Sequence, residues 1–212
     1  MEREKFELYY QLLVEWNNKF NLTSVTERDK VELLHFKDSV LPVELIPSKA
    51  IMLDIGSGAG FPAIPLKIVR PDLDITMVDS VNKKVSFLSE VICQLKLDGI
   101  RAVHKRIEEL DKNQKYDVVT SRAVAGLNIL CEYCLPFVKK GGFMLAYKSS
   151  EIEDELSQAK TAIELLGGGE VKTVTMELNE EIKRTFVIIK KIKDTPKGYP
   201  RGGNKPRLKP IV

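Results

Sequence analysis

One stretch of the 212-residue sequence reads Leu53-Asp54-Ile55-Gly56-Ser57-Gly58-Ala59-Gly60-Phe61. A short apolar run that starts at Ala50 leads into it, and a helix-like segment from Gly60 to Val69 leads out of it. Glycines at such a junction let the backbone approach a ligand closely and let the helix start tightly against the strand. The stretch therefore predicts a ligand-binding loop between a buried strand and a helix of an α/β sheet.

Strand-like and helix-like segments alternate along the rest of the chain. Strands are predicted at residues 50–55, 75–78, 101–104, 116–120, 142–148, 171–178 and 185–191. Helices are predicted at residues 3–20, 30–41, 60–69, 83–97, 127–138 and 151–166. This alternation indicates an α/β fold with a mostly parallel, seven-stranded sheet and helices on both faces, in which the last two strands pair antiparallel.

Composition divides the chain into three parts. Residues 1–45 form a predicted N-terminal helical extension packed on the core, and residues 46–193 form a single α/β domain. Residues 194–212 form a basic C-terminal arm that holds four prolines and three glycines. We expect this arm to be irregular, because Pro and Gly interrupt both helices and strands.

The net charge of +3 is unevenly distributed. Residues 190–212 carry eight Lys or Arg and one acid, so this end has a charge of +7 and the rest of the chain has −4. A basic end favours a polyanionic partner, although a solvated terminus would have the same composition. No apolar run is long enough to cross a bilayer, and the N-terminus lacks the pattern of a signal peptide. We therefore expect a cytoplasmic protein, without membrane contact and monomeric.

Cys131 and Cys134 form a C-x-x-C pattern that invites a metal-binding or redox interpretation. They fall in a helix-like segment, and no second pair of Cys or His lies nearby in the sequence. Burial in the core therefore explains them better than a metal site does, and we expect no metal.

The glycine loop fits one nucleotide-binding pattern better than another. A dinucleotide fingerprint needs G-x-G-x-x-G or a final Ala, but Phe61 occupies the position of the third Gly. The loop instead reads G-x-G-x-G, with Asp54 two residues upstream of Gly56. That arrangement resembles motif I of Rossmann-like class I methyltransferases, which use S-adenosylmethionine. In such a site Gly56 and Gly58 would make room for the methionine and ribose parts of the cofactor.

Two further strand ends carry candidate cofactor contacts. Asp79 ends the second strand, 23 residues after Gly56, where an acid can accept hydrogen bonds from both ribose hydroxyls. The same residue could simply cap the helix that follows. Ile107 and Glu108 follow the third strand, where adenine needs an apolar wall and an acceptor for its amino group. A solvated acidic helix start would explain these two residues as well.

The end of the fourth strand narrows the choice of atom that receives the methyl group. Many amino-group methyltransferases carry Asn-Pro-Pro-aromatic there, whereas this chain has Thr120-Ser121-Arg122-Ala123. The Pro-Cys pair typical of enzymes that methylate cytosine C5 is also missing from the sequence. These features disfavour adenine N6, cytosine N4 and cytosine C5, and they leave atoms that are already nucleophilic, such as guanine N7.

Together these motifs resemble the RsmG family, also called GidB, of bacterial 16S ribosomal RNA methyltransferases that make 7-methylguanosine. The resemblance runs over nearly the whole chain. It is carried by Trp16-Asn17, Asn21-Leu22-Thr23, His35-Phe36-Lys37-Asp38-Ser39, Asp54 to Pro62, Asp79-Ser80 with Lys83-Lys84, Ser121-Arg122-Ala123, Lys148 and Tyr199-Pro200-Arg201. The specific part of this pattern is the combination of Phe61-Pro62 with Ser121-Arg122-Ala123.

The resemblance implies an activity and a set of site residues. The protein would transfer a methyl group from S-adenosylmethionine to N7 of a specific guanine in 16S ribosomal RNA of the small subunit. The implied or predicted cofactor-binding residues are Asp54, Gly56, Gly58, Phe61, Asp79, Ile107, Glu108 and Arg122. The candidates for lining the target pocket are His35, Asp38, Arg122 and Lys148. The candidates for RNA contact in the arm are Lys197, Arg201, Lys205, Arg207 and Lys209.

Chemistry at guanine N7 requires no general base, because that atom carries a lone pair and no proton. We therefore expect His35 to be a helix-surface residue hydrogen-bonded to Asp38. Arg122 would hold either the carboxylate of the methionine part or a phosphate of the substrate. The alternative to an RNA substrate is a small molecule methylated at the same cofactor site, which would favour a hydrophobic lid and would not need the basic arm.

Overall fold

The computed structural model of the chain describes residues 2–122, 125–149 and 151–212. Its centre is a seven-stranded sheet with the strand order β3-β2-β1-β4-β5-β7-β6. The strands are β1 (Ile51–Ile55), β2 (Asp74–Asp79), β3 (Ile100–His104), β4 (Tyr116–Arg122), β5 (Val138–Lys148), β6 (Gly168–Glu177) and β7 (Lys183–Lys191). Strands β1 to β5 are parallel, whereas β7 is antiparallel to both β5 and β6. The predicted fold class is confirmed, including the antiparallel pair at the end of the chain.

Helices cover both faces of the sheet. They are α1 (Glu2–Asn17), α2 (Arg28–Val31), α3 (Asp38–Val40), α4 (Ala63–Val69), α5 (Asn82–Gln94), α6 (Leu127–Cys134), α7 (Glu153–Leu165) and the one-turn α8 (Lys205–Leu208). Alternate residues of each inner strand point to opposite faces, so Met52 belongs to one apolar cluster and Leu53 to the other. Helices α1, α4 and α5 pack on the Met52 face, and α6 and α7 pack on the Leu53 face.

The N-terminal extension is held to the domain by aromatic packing. The ring centroids of Tyr9 and Phe36 are 5.3 Å apart, and those of Tyr9 and Phe61 are 5.5 Å apart. Tyr9 is fully buried, and its hydroxyl donates a 2.5 Å hydrogen bond to the carbonyl oxygen of Ala59 in the glycine loop. Burial raises the pKa of Tyr9 well above its ordinary value, so this hydroxyl stays protonated and remains a donor.

Some predicted boundaries are wrong, each for a local reason. The first helix of the sheet domain begins at Ala63 rather than at residue 60, because Gly58 and Gly60 have φ angles of +57° and +96°, outside the right-handed helical region. The predicted 127–138 helix ends as α6 at Cys134, and residues 135–137 form a 3₁₀ turn. Strand β5 then begins at Val138, and the Gly-Gly pair at 141–142 lies within it beside a shift in register rather than in a preceding turn.

The C-terminal arm packs against the domain along much of its length. Its residues 205–208 form α8, and Pro200 and Pro206 are buried. Tyr199 and Ile211 pack against the apolar cluster that contains α6. The arm therefore folds back over the domain, and outside the one-turn α8 it has no regular secondary structure, as expected.

Cys131 and Cys134 are fully buried free thiols, as their place in an apolar helix predicts. Burial raises the pKa of Cys131 to about 12. Among the described residues, no helix is both long enough and apolar enough to span a membrane.

Candidate active site

A cleft of about 570 Å³ opens at the carboxyl ends of β1, β2 and β4, where ligands bind in open parallel sheets. Its lining includes all of the predicted cofactor-binding residues except Asp54. They are Gly56, Gly58, Phe61, Asp79, Ile107, Glu108 and Arg122. His35 lines the same cleft from the N-terminal extension.

The glycine loop forms the floor of the cleft and has little room for side chains on its far side. A Cβ atom at Gly60 would lie 2.5 Å from Cδ1 of Ile64 and 2.7 Å from the hydroxyl of Tyr9. A Cβ atom at Gly58 would meet only the carbonyl oxygen of Gly56, at 3.9 Å. Gly60 is thus required by packing against helix α4 and the extension, whereas Gly58 keeps the cleft side open for a ligand.

Asp79 connects the second strand to the glycine loop. Its Oδ2 atom accepts a 2.9 Å hydrogen bond from the Gly58 amide, and its Oδ1 atom accepts one of 2.9 Å from the Val81 amide. Val81 is itself the residue before helix α5, and no side-chain hydrogen bond from a described residue caps that helix, so Asp79 lines the cleft without capping α5. Each oxygen keeps a second lone pair that could accept a hydrogen bond from a ligand hydroxyl.

Asp54 lies beneath the loop rather than in the cleft. Its side chain is fully buried, and neither carboxylate oxygen has a hydrogen-bond partner among the described residues. Burial raises the pKa of Asp54 from its ordinary value to about 7, and the nearby Ser57 side chain and then Arg122 oppose part of that rise. This carboxylate is therefore a buried acceptor, available to a cationic group or an amine placed above the first strand.

The N-terminal extension supplies a second wall of the cleft through His35. The imidazole stacks on Phe61 with ring centroids 4.4 Å apart, and its Nε2 atom is 2.9 Å from the Thr23 hydroxyl. Burial, followed by the charge of Arg122, lowers the pKa of His35 to about 4, so the ring is neutral at physiological pH. The expected hydrogen bond between His35 and Asp38 is wrong, because the carboxylate of Asp38 is held by arginines instead.

Asp38 joins two arginines that are distant in the sequence. Its Oδ2 atom accepts a 2.8 Å hydrogen bond from Nη1 of Arg122, and its Oδ1 atom accepts one of 2.7 Å from Nε of Arg184. Arg122 also donates to the carbonyl oxygen of Leu34 and lies over the ring of Phe61, 5.1 Å from its centroid. Asp38 is buried behind Arg122 and does not line the cleft, so it orients the guanidinium instead of meeting the target base.

Lys148 does not reach the cleft either. Its ammonium group contacts a carboxylate oxygen of Glu155 at 2.5 Å and the carbonyl oxygen of Ala125 at 3.0 Å. The side chain of Lys148 is only 9% exposed, so its charge is already neutralised inside the fold. Ala123, which completes the Ser121-Arg122-Ala123 motif, lies outside the described residues.

The C-terminal arm closes the far end of the cleft, where Ile107 and Glu108 lie. The Gly203 amide donates a 3.0 Å hydrogen bond to Oε1 of Glu108, and Asn204 and Arg207 line the cleft beside it. Arg201 is bound to the buried carboxylate of Glu132, so we no longer expect it to contact RNA. Lys197, Lys205, Arg207 and Lys209 are exposed.

The chain was compared with known protein families and structures. A family model described as GidB, rRNA small subunit methyltransferase G, matches residues 2–186. The chain belongs to this family. It is 48% identical to the ribosomal RNA small subunit methyltransferase G of Lachnoclostridium phytofermentans over 216 residues, which cover 99% of this chain and 89% of that protein. It is also 48% identical to the protein of the same name from Staphylococcus epidermidis, over 100% of this chain and 91% of that one.

The structural comparison agrees on the fold. A putative S-adenosyl-L-methionine-dependent methyltransferase from Methanococcus maripaludis superposes with a TM-score of 0.61 and 16% identity, over 78% of this chain and 90% of that one. As a member of the methyltransferase G family, the chain is a methyltransferase whose cofactor is S-adenosylmethionine.

The cleft fits this cofactor in shape and charge. The open side of Gly58 leaves space for the ligand backbone, and Ile107 offers an apolar surface for a base. Asp79 lines the floor and Asp54 is buried beneath it, so two carboxyl groups would favour the cationic sulfonium and ammonium groups of the cofactor. The oxygens of Asp54 have no hydrogen-bond partner among the described residues, and a cationic ligand above the loop would stabilise the charged form of this carboxyl group.

Several residues of the site were missed by sequence reasoning. Gly203 and Asn204 were treated only as part of a basic arm, and Arg184 and Glu132 were given no role. One signal was present for Glu132, which is the single charged residue in the apolar helix α6. A lone acid among apolar residues of a buried helix indicates an ion pair, because an unpaired charge there would be too costly. No pattern in the sequence indicated that its partner is Arg201.

Proposed function

We propose that this protein transfers a methyl group from S-adenosylmethionine to N7 of a specific guanine in 16S ribosomal RNA of the small subunit. The observation that carries the proposal is the cleft itself. A glycine loop, Asp79 and Glu108 line one part of it, and His35, Phe61 and Arg122 line another, in a chain that belongs to the methyltransferase G family.

The proposed cofactor site uses the floor and the far end of the cleft. Asp79 accepts hydrogen bonds from the ribose hydroxyls with the lone pairs that Gly58 and Val81 leave free. Ile107 packs against the adenine ring, and Glu108 accepts from its amino group. Gly56, Gly58 and the buried Asp54 surround the methionine part.

Arg122 anchors the carboxylate of the methionine part in this proposal. The alternative, a phosphate of the RNA, requires a cation that a large polyanion can reach. The Arg122 side chain is only 13% exposed and its Nη1 atom is already bound to Asp38 and Leu34, so it suits a small ligand inside the cleft. Its remaining donors and the face of Phe61 define where the ligand carboxylate binds.

The chemistry requires little from the side chains beyond positioning. S-adenosylmethionine supplies, when bound, an electrophilic methyl group on a sulfonium centre. Guanine N7 offers a lone pair without a proton, so His35 acts as a flat neutral wall that stacks on Phe61 and not as a base. Holding two reactants in line contributes about 7–11 kcal/mol toward the barrier, which is the main role we assign to this cleft.

RNA attraction comes from the exposed cations of the C-terminal arm. Lys197, Lys205, Arg207 and Lys209 are exposed on the segment that borders the cleft. Their contacts with phosphates would be independent of base identity and weakened by salt. The family match favours this substrate over a small molecule. We further propose that the protein acts in the cytoplasm, because ribosomal RNA is found there, and as a monomer, because residues of a single chain line the cleft.

The direct test is to incubate deproteinised 16S ribosomal RNA and intact small subunits separately with labelled S-adenosylmethionine, followed by nucleoside analysis. Label in 7-methylguanosine supports the proposal, and the better of the two substrates identifies the assembly state that is recognised. Label only in N6-methyladenosine, or transfer to small acceptors but not to RNA, would overturn it.

The matched variants are Gly58→Ala and Gly198→Ala. Both glycines have positive φ angles, and neither added Cβ atom would clash with the described protein atoms, but only the one at Gly58 projects beside the cleft. We expect Gly58→Ala to weaken S-adenosylmethionine binding at least about tenfold, because one extra methyl group in a fitted pocket has effects of this size. Gly198→Ala should bind normally. Equal affinities by calorimetry would remove the glycine loop from the cofactor site.

A further inference from the structure

The C-terminal arm contributes to the cleft although it lies outside the family match, which ends at residue 186. Gly203, Asn204 and Arg207 line the cleft at the end where Ile107 and Glu108 lie. Attraction of RNA accounts for the positive charge of this tail, but it does not account for the place of Gly203 in the wall of the cleft. Besides the apolar packing of Tyr199 and Ile211, two polar contacts hold the arm there, one buried and one inside the cleft.

The buried contact is an ion pair between Arg201 and Glu132. Both the backbone amide and Nε of Arg201 donate to Oε1 of Glu132, at 2.9 and 2.8 Å, and Nη2 donates to Oε2 at 2.6 Å. The Glu132 side chain is 1% exposed and projects from helix α6. Three donors on one buried carboxylate make a rigid, two-pronged clamp, the strongest geometry available to an Arg and Glu pair.

Arg201 also ties the arm to itself. Its Nη2 atom donates a second hydrogen bond, of 2.9 Å, to the carbonyl oxygen of Lys209. Residues 201 and 209 are thereby joined, and the one-turn helix α8 lies in the loop between them. Pro206 within that loop is buried, which fixes the loop against the domain.

The second contact lies two residues after the clamp, where the Gly203 amide donates to Oε1 of Glu108. Glu108 would otherwise be a surface carboxylate free to change rotamer. With Oε1 held by the arm, the carboxylate has one orientation in the cleft, and Oε2 remains to accept from a ligand. A side chain fixed before binding does not lose its freedom when the ligand arrives.

We propose that Arg201 is a positioning residue for the cofactor, which clamps the arm on Glu132 so that Gly203 orients Glu108 toward the adenine end of the cleft. Arg201 itself does not touch the cofactor. The inference rests on the proposed role of Glu108, and it adds that the last residues of the chain set the affinity for S-adenosylmethionine. It also explains why a charged pair is retained in the otherwise apolar helix α6.

The test measures KM and kcat with small subunits, and Kd for S-adenosylmethionine by calorimetry, in Arg201→Gln, Arg201→Lys and the double variant Arg201→Gln/Glu132→Gln. We expect Arg201→Gln to raise KM and Kd for the cofactor roughly three- to tenfold, the effect of one side chain that must be immobilised on binding. We expect kcat to change less than about twofold. Arg201→Lys, which keeps one charged hydrogen bond, should fall between it and the unmodified protein.

The double variant separates positioning from folding. Arg201→Gln alone leaves a buried unpaired carboxylate, which could destabilise helix α6, whereas two neutral amides avoid that penalty and still lack the charged clamp. Lys193→Gln is the matched control, because it removes one exposed positive charge just before the arm without touching the clamp. Its cofactor affinity should equal that of the unmodified protein.

The possible outcomes distinguish this inference from the proposed function. If the double variant folds and binds S-adenosylmethionine with unchanged affinity, the positioning role is wrong. If Gly58→Ala loses binding in the same experiment, the proposed cofactor site is still supported, although Arg201 does not position any part of it. If neither Gly58→Ala nor the Arg201 variants change the affinity, the cofactor site itself has been misplaced. A rise in Kd shared equally by Lys193→Gln would assign the effect to net charge and would also overturn the inference.

Discussion

The two ends of the chain both wall the same cleft, but they are held there by different forces. The N-terminal extension is attached through buried rings, Tyr9 and Phe36, which pack on Phe61 of the binding loop. The C-terminal arm also packs Tyr199 and Ile211 on the apolar cluster around α6, but its contacts with charged side chains at the site are polar, with Arg201 on Glu132 and Gly203 on Glu108. The rings of the N-terminal extension belong to the same apolar core as the sheet, so disrupting their packing lowers the stability of the whole protein. Changes in the polar contacts of the arm can alter ligand affinity while the sheet stays folded. The arm is therefore the side of the site whose contacts can vary without loss of the fold.

The largest expected effect comes from adding one methyl group where the N-terminal extension meets the glycine loop, compared with one methyl group in the arm. Gly60→Ala should lower the free energy of unfolding by about 2–5 kcal/mol, because the left-handed backbone is strained with any Cβ and the new atom collides with Ile64 and Tyr9. Gly198→Ala in the arm has the same φ angle of +96° and nothing within 4 Å, so it carries the backbone strain alone, about 1–2 kcal/mol. Chemical denaturation of the two variants measures the difference.

Equal destabilisation by these two variants would contradict the comparison, since it would mean that the extension does not press on the glycine loop. A larger loss of unfolding free energy in Gly198→Ala than in Gly60→Ala would mean that the arm is the more tightly packed of the two ends. The loss of cofactor affinity should follow the same order, because only Gly60 is followed directly by a residue that lines the cleft, Phe61.

Removing one hydroxyl from each wall should give a smaller effect. Tyr9→Phe deletes the donor to the Ala59 carbonyl in a fully buried position, and we expect a loss of about 1–2 kcal/mol in the free energy of unfolding. Tyr199→Phe is its counterpart in the arm, where the Tyr199 side chain is only partly buried. That variant should be within about 0.5 kcal/mol of the unmodified protein. A clear loss in Tyr199→Phe would show that the arm, too, depends on a tyrosine hydroxyl.

The smallest effect expected is a change in pH dependence at His35. Its pKa in the folded protein is about 4, below the ordinary 6.5, so the unfolded chain takes up a proton that the folded chain does not bind. Stability is therefore lost as the pH falls from 6.5 toward 4 and is unaffected above 6.5. Between about pH 7.5 and about pH 5.5, this residue should account for about 0.5–1 kcal/mol, allowing for its partial exposure.

His35→Asn should remove that part of the pH dependence. The measurement is the free energy of unfolding at both pH values for the two proteins. The interpretation of His35 as a neutral wall fails if the variant loses as much stability on acidification as the unmodified protein. His104 is the control, because it is exposed and outside the cleft, and His104→Asn should leave the difference unchanged.

The sheet and the strand-end residues of the site were predictable, because both follow from short-range patterns. Apolar runs separated by amphipathic segments identify parallel strands, and the carboxyl ends of those strands meet at one edge. Gly56, Asp79, Ile107 and Arg122 come together for that reason alone. The start of α4 was misplaced because Gly60 was counted as helix, although its φ angle of +96° lies outside the right-handed helical region.

The rest of the site depends on contacts between distant residues that no periodicity encodes. Arg184 reaches Asp38 across 146 positions, and Gly203 reaches Glu108 across 95. The arm has neither helical nor strand periodicity over most of its length, so its sequence cannot say which surface it covers. Lys148 was misplaced in the target pocket for a similar reason, since its partner Glu155 belongs to a helix whose packing angle the sequence does not reveal.

The order of strands has a consequence for synthesis of the chain. Within the described sheet, strand β6 is hydrogen-bonded only to β7, and β7 lies between β5 and β6, so the middle strand of these three is made last. Because domains fold from the N-terminus as they emerge, a nascent chain that stops before residue 183 exposes the open edge of β5 and a partnerless β6. The arm that finishes the cleft follows still later. A chain whose synthesis stops before residue 183 is therefore prone to aggregate through its open strand edges and has an incomplete ligand site. Synthesis of the remaining residues takes a few seconds, and it both covers the edge of β5 and completes that site.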